Sequence, residues 1–231
     1  MEKGERLGIS SVVIVAALNE EEGIGPTLAE IKSYLGNPFA VVVDGRSVDG
    51  TAKIAEAEGA KVIPQKGFGK GDAIATALEH MRGLDAKYAV FIDADFTYPA
   101  EYLPKMFEIL ESNPKVGMVC GNRFNGHFRL SAMPNMFYVG NRFLAFMHNL
   151  LNGVQLRDPL TGLRVVRWEI IKNWTPKSRG FDVEVELNHL VERKGYQIIE
   201  VPIRYRQRLG EKKLKPKHGF AILKRILIES I

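Results

Sequence analysis

Short apolar runs alternate with helix-forming segments through the first half of the chain, and this alternation limits the possible folds more than any other feature. Five of the runs are rich in β-branched residues and are predicted to be strands: Ser11–Ala17, Phe39–Asp44, Lys61–Pro64, 88–92 and 115–120. The segments between them are predicted to be helices: 26–35, 51–58, 72–82 and 99–112. Since strands separated by single helices pair in parallel, the sequence predicts an α/β fold with a doubly wound, mostly parallel sheet and helices on both faces.

The second half of the chain departs from this alternation. Its predicted elements are a long helix with many aromatic residues over 134–151, a strand over 163–168, an acidic amphipathic helix over 181–193, a strand over 197–205, and an apolar, basic segment over 218–231. The sequence contains no internal repeat and no low-complexity linker, and its 231 residues suit one large α/β domain. We therefore predict a single domain over 1–231, with parts at about 10–120, 121–214 and 215–231.

Charge, cysteine content and the lengths of apolar runs indicate which partners and which cellular environment the chain suits. From Arg204 to Arg225 nine residues are Lys or Arg and one, Glu211, is acidic. This basic block predicts an anionic partner, which charge alone leaves open between phosphate, a membrane surface and nucleic acid, with a solvated surface as the alternative. Cys120 is the single cysteine, so no intramolecular disulfide is expected, and the polar residues 1–8 predict no secretory signal. No run of 18 apolar residues occurs, so we expect no bilayer-spanning segment in this chain.

Polar residues follow each of the first four predicted strands. The segment 19–21 (Asn-Glu-Glu) follows the first, Asp44 ends the second, the glycine-rich loop 66–71 follows the third, and Asp93 and Asp95 follow the fourth. In open α/β sheets, ligands bind beyond the carboxyl ends of the strands. The sequence therefore predicts a polar binding site at this edge of the sheet.

Asp93 and Asp95 form the most informative of these clusters, because two carboxylates two residues apart at a strand end can share one divalent cation. Carboxylate oxygens suit Mg²⁺ or Mn²⁺, which also bind phosphate oxygens. Such a cation neutralises the charge that builds up on a leaving diphosphate. The D-x-D pattern alone also fits a solvated loop or a helix cap, but the apolar strand before it and Pro99 after it favour the metal site.

Two of the other three strand ends are compatible with more than one role. Asp44 can accept a hydrogen bond from a nucleobase N–H, whereas Asp49 is expected to cap the next helix. The glycine-rich loop 66–71 matches neither a dinucleotide-binding fingerprint nor a P-loop, because it follows the third strand and lacks the spacing of both. Its backbone amides, together with Lys66 and Lys70, can contact phosphate, or the loop is a plain turn.

Seven motifs in this order resemble glycosyltransferase family 2. They are A-L-N-E-E at 17–21, V-D at 43–44 with D-G-T at 49–51, G-K-G at 69–71, D-A-D at 93–95, G-N-R at 121–123, the segment 158–164, and G-F-D at 180–182. Within the family, the chain is most similar to the polyprenyl (dolichyl) phosphate hexose synthases, of which dolichyl-phosphate mannose synthase is the type. The likeness covers about 11–214, and it implies a GT-A-type fold with 10–120 as the nucleotide-sugar half and 121–214 as the acceptor half.

The resemblance also implies roles for individual residues. The metal ligands are Asp93, Asp95 and Thr97. The nucleotide-sugar is bound by Ala17, Asn19, Glu20, Asp44, Lys70, Asp93, Ala94, Arg208 and Lys213. The catalytic residues are Asp95, Arg123, Asp158 and Arg164. Arg123 is expected to bind the acceptor phosphate, and Arg164 is expected to bind an anionic group in a similar way. The planar guanidinium of arginine suits phosphate because it can donate two parallel hydrogen bonds. Asp158 is expected to orient Arg164 or the acceptor loop, or to act as a base if the acceptor is a hydroxyl.

Three departures from the family pattern affect these details. The second of two adjacent acids after the second strand is replaced by Gly45, which Arg46 follows. Thr97 stands where Gln or Ser often assists the metal, and Lys212 stands where Ser is common before the lysine. These departures affect which nucleobase the chain would select and how it would bind the metal. They leave the expected reaction class unchanged.

The resemblance implies inverting transfer of a hexose from a nucleotide-sugar to dolichyl or polyprenyl phosphate, with Mg²⁺ or Mn²⁺, in the service of protein glycosylation. GDP-mannose is the favoured donor, with UDP-glucose and UDP-N-acetylglucosamine open. The alternatives are a family 2 enzyme with a hydroxyl acceptor and a non-catalytic nucleotide- or membrane-binding module. We expect a peripheral protein at the cytoplasmic face of a membrane, or a cytoplasmic one, that binds no nucleic acid. A membrane-anchoring partner or a further C-terminal transmembrane segment is compatible with this expectation.

Two apolar segments of the second half allow different interpretations. The helix over 134–151 either packs in the core or contacts a membrane or lipid, and the part over 215–231 is either an interfacial helix or one docked on the core. None of the five histidines has metal-ligand spacing. Glu184 and Glu186 alternate on the predicted helix 181–193, so at most one of them is expected to point into the site.

Overall fold

The computed structural model describes residues 10–124, 135–152 and 155–230 of the chain. Its centre is a seven-stranded sheet of order β3-β2-β1-β4-β6-β5-β7. The strands are β1 (Ser11–Ala17), β2 (Phe39–Asp44), β3 (Lys61–Pro64), β4 (Tyr88–Phe91), β5 (Val116–Asn122), β6 (Arg164–Arg167) and β7 (Gln197–Pro202). Strands β3, β2, β1 and β4 run in parallel, β5 is parallel to β7, and β6 is antiparallel to β4 and β5. The predicted mostly parallel α/β sheet is confirmed.

Eight α-helices connect or flank these strands in the described residues. They are α1 (Glu21–Leu35), α2 (Thr51–Ala57), α3 (Lys70–His80), α4 (Leu103–Ser112), α5 (Asn135–Asn152), α6 (Trp168–Ile171), α7 (Val183–Arg193) and α8 (His218–Glu229). A 3₁₀ turn, Ala100–Tyr102, precedes α4 within the single helix predicted over 99–112. The first residue of the helix predicted over 134–151 lies outside the described residues. The short helix α6 was not predicted.

The start of α1 shows why one predicted boundary was wrong. The sequence predicts a helix that begins at Pro26, because proline favours the first helical position. In the structure α1 begins at Glu21, and Pro26 lies inside it. Glu21 and Glu22 occupy the first turn, where carboxylates are stabilised by the positive end of the helix dipole. As a result, the N-terminus of α1 lies directly beside the strand end that carries Asp95.

The core occupies both faces of the sheet. Strand β1 shows the division, because Val13 and Val15 pack on one face and Val12 and Ile14 pack on the other. Helices α1 and α4 cover the first face, and α3, α6 and α7 cover the second. Strands buried on both sides explain why the sequence shows continuous apolar runs instead of alternation. The predicted placement of helices on both faces is confirmed.

Helices α5 and α8 lie against α7 and add a smaller cluster to one side of the sheet. Val185 of α7, Leu144 of α5, and Ile222 and Ile226 of α8 form its buried centre. Each of the two helices also leaves large apolar side chains exposed: Met136, Val139, Phe143, Phe146 and Leu150 on α5, and Phe220, Leu227 and Ile228 on α8. Of the helices described here, none is both long and apolar enough to cross a bilayer. One side of each helix therefore packs on the protein, and the other side is exposed.

Candidate functional site

A cleft of about 380 Å³ opens at the carboxyl ends of β1 and β4, between the sheet and the segments that follow β7. The structure brings most of the predicted site residues to its wall: Ala17, Glu20, Lys70, Asp93, Ala94, Asp95, Arg123, Arg208 and Lys213. Asn19, Asp44, Thr97, Asp158 and Arg164 do not line it. The ends of β1, β3 and β4 supply most of the first group, Arg123 follows β5, and Arg208 and Lys213 follow β7. The positions of the second group are described below.

The Asp93–Asp95 turn is held against two other backbone segments by glycines. A Cβ added to Gly23 of α1 would lie 2.5 Å from the carbonyl oxygen of Ala94, and one added to Gly162 would lie 2.3 Å from Asp93 Oδ2. Neither segment could approach so closely with a side chain at these positions. The glycines therefore let the N-terminus of α1 and the loop before β6 confine the acidic pair from two sides.

Asp95 is buried, and its orientation is fixed by its neighbour. Its Oδ1 accepts hydrogen bonds from the hydroxyl of Thr97 at 2.6 Å and from the Thr97 amide at 3.1 Å, while its Oδ2 lies 3.5 Å from a guanidinium nitrogen of Arg208. Burial, and then the charge of Asp93, raises the pKa of Asp95. The Thr97 side chain is itself 1% exposed. The structure thus places Thr97 behind Asp95 as the residue that orients it, in contrast to the predicted place as a metal ligand.

Lys70, the first residue of α3, is held between two carboxylates. Its ammonium nitrogen lies 2.6 Å from Asp93 Oδ1 and 2.7 Å from Glu184 Oε1. Burial alone lowers the pKa of Lys70, but the charges of Asp93 and Glu184 outweigh it and raise the pKa overall. The predicted phosphate-binding lysine is therefore present in the cleft as a charged group, and in this structure it is paired with acids.

Glu184 lines the cleft, and Glu186 does not. The carboxylate of Glu186 accepts hydrogen bonds from the Trp174 indole and the backbone amides of Lys177 and Ser178. The expectation that at most one of the two acids faces the site agrees with this arrangement. Glu184 Oε2 is buried and has no hydrogen-bond partner among the described residues.

The glycine-rich loop serves packing more directly than anion binding. A Cβ added to Gly69 would lie 2.6 Å from the carbonyl oxygen of Arg179, and one added to Gly71 would lie 2.0 Å from that of Ser178. The Asp72 amide donates to the Arg179 carbonyl at 3.2 Å. The loop therefore seats the start of α3 against the segment before α7, which brings Lys70 and Glu184 together.

A basic segment after β7 crosses the cleft to reach the end of β1. One guanidinium nitrogen of Arg208 donates to both carboxylate oxygens of Glu20, at 2.7 and 2.8 Å. Lys213 donates to the backbone carbonyl of Asn19 at 2.9 Å and lies 3.8 Å from Glu20 Oε1. Burial raises the pKa of Glu20, and the hydrogen bond from Arg208 opposes that shift. Residues about 190 positions apart in the chain thus form one charged cluster.

Arg123 and Asp158 form a buried, two-point ion pair. Nε and one terminal nitrogen of Arg123 donate to the two carboxylate oxygens of Asp158, each at 2.7 Å, and the Arg123 amide adds a third bond at 3.0 Å. The guanidinium carbon lies 5.3 Å from the centre of the Tyr205 ring, which also lines the cleft. Asp158 is expected to orient Arg164 or the acceptor loop, but its carboxylate does not contact Arg164 and holds Arg123 instead.

Arg164 lies at the start of β6 and is 1% exposed. Its guanidinium donates to the carbonyl oxygens of Thr161 and Pro159 and to the side chain of Asn188. These bonds fix the loop that leads from Asp158 to β6. The structure therefore does not bring Arg164 to the cleft, and it supports the Asp158 loop from behind instead of meeting an anion.

Asn19 and Asp44 shape the end of the cleft beyond β1 and β2 without lining it. Asn19 adopts a positive φ of 49° and accepts a hydrogen bond from the Val48 amide, while Asp44 accepts from the Ser47 amide at 3.1 Å. Both side chains are thus used to fold the turn after β2. The wall at this end is formed by Leu18, Gly45, Gln65 and Phe68.

Gln65 is a site residue that the sequence analysis missed. Its Nε2 donates to the Gly69 carbonyl at 2.7 Å, which fixes the amide and leaves Oε1 as its acceptor atom. A Cβ added to Gly45 would lie 3.1 Å from this oxygen. The amide oxygen of Gln65 therefore stands beside the position where the family pattern has its second acid. The absence of that acid and the polar residue at the end of β3 were the available signals.

A second, smaller cavity of about 180 Å³ continues the cleft between α5 and α8. Phe137, Asn141, Leu214 and Ile222 line both cavities. The remaining wall of the smaller cavity is mostly apolar and includes Leu144. The charged cleft therefore opens at one end into an apolar groove, which we call the α5–α8 groove.

The described residues contain no cluster of three or more His, Cys, Asp or Glu side chains able to hold a metal. Asp93 and Asp95 supply two carboxylates at the cleft wall, and Mg²⁺ is commonly held by one or two carboxylates together with water and substrate phosphate. The oxygen-only donor set fits Mg²⁺ or Mn²⁺ and not a softer metal. The residues present are thus compatible with a cation that a bound diphosphate helps to hold.

The sheet order, the acidic pair at the end of β4 and the basic residues across the cleft define a GT-A-type enzyme. The chain belongs to glycosyl transferase family 2, whose family model matches residues 12–175. A dolichyl-phosphate hexose transferase of Haloferax volcanii is 36% identical over 220 residues, which cover 94% of this chain and 92% of that protein. A dolichol-phosphate mannosyltransferase of Pyrococcus furiosus is 27% identical, over 93% of this chain and 62% of that protein.

The same architecture occurs in a solved structure of glucosyl-3-phosphoglycerate synthase from Mycobacterium tuberculosis in complex with Mn²⁺, UDP and glucosyl-3-phosphoglycerate. That structure aligns with a TM-score of 0.74 over 96% of this chain and 80% of its own, at 22% identity. At this identity the likeness concerns the fold. It confirms the predicted GT-A-type architecture for a chain whose family the sequence comparison establishes.

Proposed function

We propose that this glycosyltransferase is an inverting hexosyltransferase that transfers a sugar from a nucleotide-sugar to a polyprenyl or dolichyl phosphate. The observation that carries the proposal is the continuity of the charged cleft, which contains Asp93 and Asp95, with the α5–α8 groove. A diphosphate and a lipid phosphate both need positive charge, and the lipid also needs an apolar path. The 36% identity to a dolichyl-phosphate hexose transferase supports the same assignment.

The donor half of the proposal assigns residues 10–120 to the nucleotide-sugar. A divalent cation held by Asp93 and Asp95 would neutralise charge on the departing diphosphate when bound. Arg208 and Lys213 already reach the same end of the cleft through Glu20 and the Asn19 carbonyl, so a diphosphate there would gain two further cations. Electrostatic stabilisation of the leaving group would thus account for a large part of the rate.

The sugar would lie between the acidic pair and α7. Glu184 lines the cleft, and its buried Oε2 has no hydrogen-bond partner among the described residues. An unpaired buried oxygen costs free energy, and a hexose hydroxyl that donates to it would remove that cost. Lys70 holds the other oxygen of Glu184 at 2.7 Å, so the acceptor position is fixed before the sugar arrives.

The acceptor half of the proposal assigns residues 121–214 to a lipid phosphate. A phosphate oxygen is already anionic and attacks the anomeric carbon without a general base, so positioning accounts for much of this step. Asp158 would be the natural base for a hydroxyl acceptor, but both of its oxygens are occupied by Arg123 and it is 1% exposed. This arrangement favours the phosphate acceptor over the hydroxyl acceptor.

The exposed faces of α5 and α8 support attachment to a membrane surface. Five large apolar side chains of α5 recur at helical spacing along one exposed side, and α8 adds Phe220, Leu227 and Ile228. Lys215, Lys217 and Lys224 lie on or beside α8, where they suit an anionic lipid surface. We propose a peripheral position at the cytoplasmic face, with the α5–α8 groove facing the lipid and the part 215–231 at the interface.

The proposal leaves more than one nucleotide-sugar open as the donor. Gln65 Oε1 presents a hydrogen-bond acceptor at the end of the cleft beyond β2, and both guanine and uracil carry a ring N–H that can donate to it. GDP-mannose remains the favoured donor because relatives include a dolichol-phosphate mannosyltransferase. UDP-glucose and UDP-N-acetylglucosamine stay in the test.

A donor screen tests the proposal. The purified chain is incubated with a short polyprenyl phosphate, Mn²⁺ or Mg²⁺, and each of the three nucleotide-sugars in turn, and lipid-linked product is measured by mass spectrometry. We expect product from one donor, with inversion at the anomeric carbon, and loss of product when EDTA removes the metal. Transfer to a hydroxyl acceptor with no lipid-phosphate product from any donor would overturn the acceptor assignment.

A further inference from the structure

We propose that Lys212 binds the phosphate of the acceptor lipid at the junction of the charged cleft and the α5–α8 groove. This inference rests on the proposed function and adds to it a residue that recognises the acceptor. Lys212 is also a departure from the family pattern, in which serine is common at this position.

Lys212 and Lys213 point to opposite sides of the segment that crosses the cleft. The ammonium nitrogen of Lys213 lies 2.9 Å from the Asn19 carbonyl oxygen, at the donor end. The ammonium nitrogen of Lys212 lies 3.1 Å from the centre of the Phe137 ring, on α5. Adjacent side chains of an extended segment project in opposite directions. One lysine therefore serves the donor end, and the next one faces the acceptor helix.

Lys212 is the exception among the lysines and arginines that line the cleft in the described residues. Lys70, Arg123, Arg208 and Lys213 each lie within 4.0 Å of a carboxylate oxygen. Lys212 makes no such ion pair within the described part of the chain and has a cation–π contact instead. None of the described residues therefore neutralises its charge.

The surroundings of Lys212 increase the need for an anion. Partial burial, and then the positive charges of Arg208 and Arg123, lower the pKa of Lys212 to about 8. Three cations facing one region repel one another until a negative ligand binds between them. A phosphate monoester, which carries close to two negative charges at neutral pH, supplies that compensation.

The position of Phe137 connects this phosphate site to the lipid path. Phe137 lines both the cleft and the α5–α8 groove, with Leu214 and Ile222 on the opposite wall. A phosphate beside Lys212 would place the attached chain at the mouth of an apolar groove. A serine at this position would offer a hydroxyl without charge, so the lysine strengthens selection for an anionic acceptor.

The experiment compares steady-state kinetics of Lys212→Met, which keeps the length of the side chain and removes its charge, with those of the wild type. Assays use a short polyprenyl phosphate in detergent and vary acceptor and donor separately. We expect the KM for the acceptor to rise roughly 10- to 100-fold in Lys212→Met, while the KM for the nucleotide-sugar changes little. Lys212→Arg should retain most of the acceptor affinity. Lys172→Met, which removes an exposed lysine that lines neither cavity and lies outside α5 and α8, is the control.

The outcomes separate this inference from the proposed function. If the wild type makes no lipid-linked product, the proposed function itself fails. If the wild type makes product and Lys212→Met keeps its acceptor KM, or raises the donor KM instead, then Lys212 does not bind the acceptor phosphate. A selective rise in the acceptor KM that Lys212→Arg prevents would support the assignment, since a purely structural loss would also affect the donor.

Discussion

The two ends of the cleft are built in different ways. At the proposed donor end, charged residues from strand ends and neighbouring helices are paired, as with Lys70 of α3 between Asp93 and Glu184. At the acceptor end, two helices expose apolar side chains, and Lys212 faces the cleft without an ion pair among the described residues. The first arrangement is preorganised for electrostatic work on a polar ligand. The second leaves surface and charge for a ligand with an apolar body and an anionic head.

Glycine contacts show the same contrast in the backbone. Cβ atoms added to Gly23, Gly71 and Gly162 would lie 2.0–2.5 Å from neighbouring atoms around the donor site. Cβ atoms added to Gly140 of α5 and Gly219 of α8 would meet nothing within 4 Å. The donor end therefore depends on close backbone approach, and the acceptor helices tolerate substitution. Variants at each end test this difference.

The largest effect is expected from Asp95→Asn. Asparagine can still accept the hydrogen bonds from Thr97 but removes a charged ligand from the proposed metal site. We expect kcat to fall by about 1,000-fold, equivalent to about 4 kcal/mol. Because burial raises the pKa of Asp95, loss of its charge should leave the melting temperature unchanged or higher. Product formation and thermal unfolding measure the two effects, and Asp85→Asn, at an exposed position, is the control.

Wild-type turnover in Asp95→Asn would remove the metal assignment and with it the electrostatic account of the donor end. A large fall in melting temperature would instead show that the charge of Asp95 is needed for folding.

Asp158→Asn tests the buried ion pair that borders the acceptor end. The variant leaves the Arg123 guanidinium buried without a counter-charge, which we expect to cost about 3–5 kcal/mol of unfolding free energy. Urea denaturation measures the loss. Glu79→Gln, which breaks the exposed pair with Lys66, should leave the denaturation midpoint nearly unchanged. A stable Asp158→Asn protein that loses only activity would show that the carboxylate acts in the reaction.

Gly162→Ala tests the dependence of the donor end on close approach. The added methyl group would lie 2.3 Å from Asp93 Oδ2, so the carboxylate must move. A displacement of about 1 Å in a catalytic group lowers the rate by about 100-fold. We therefore expect kcat to fall by roughly 10- to 100-fold. Gly140→Ala is the matched control on α5 and should leave kcat unchanged. Equal effects of the two substitutions would contradict the contrast between the two ends.

Much of the sheet could be predicted from the sequence, because local patterns determine it. Strands β1, β2 and β3 begin and end where the sequence analysis places them, since each is an apolar run ended by turn residues. The antiparallel direction of β6 could not be read in this way. Its neighbours β4 and β5 are distant in sequence, and an antiparallel strand inserted between parallel ones has no local signature.

The residues of the site likewise separate into those that local sequence predicts and those whose position depends on tertiary contacts. Strand-end residues such as Glu20, Asp93 and Asp95 reach one cleft because parallel strands end at one edge. Thr97 and Arg164 carry the expected residue types, but tertiary contacts turn Thr97 behind Asp95 and bury Arg164 against carbonyl oxygens. The hydrogen-bond partners of a polar side chain depend on its tertiary contacts, which motif spacing in the sequence does not reveal.

A smaller effect is expected on membrane attachment. Phe146 and Leu150 are 61% and 63% exposed on α5, so replacing both with serine should leave the fold intact. Loss of two large apolar groups should weaken binding to anionic vesicles by about tenfold or more. Val48→Ser, at a residue 92% exposed in the loop after β2, is the control. Vesicle co-sedimentation measures binding, and equal binding by all three proteins would rule out this face as the membrane contact.

The smallest expected effect is a pH dependence that belongs to the acceptor end alone. The pKa of Lys212 in the free enzyme is lowered to about 8, so its charge is complete well below pH 8 and is lost as pH rises through that value. Because kcat/KM for the acceptor reports ionisations of the free enzyme and free substrate, it should fall above about pH 8. In Lys212→Arg the guanidinium stays charged, and the fall should move to higher pH.

The donor provides the internal reference for this measurement. Lys70 lies in the same cleft, but Asp93 and Glu184 raise its pKa, so the donor end should keep its charge over the same range. We therefore expect kcat/KM for the nucleotide-sugar to stay level between pH 7 and 9 while that for the acceptor falls a few-fold. A parallel fall for both substrates would mean that the titrating group serves the whole cleft, and the distinction between a neutralised donor end and an unpaired acceptor lysine would not hold.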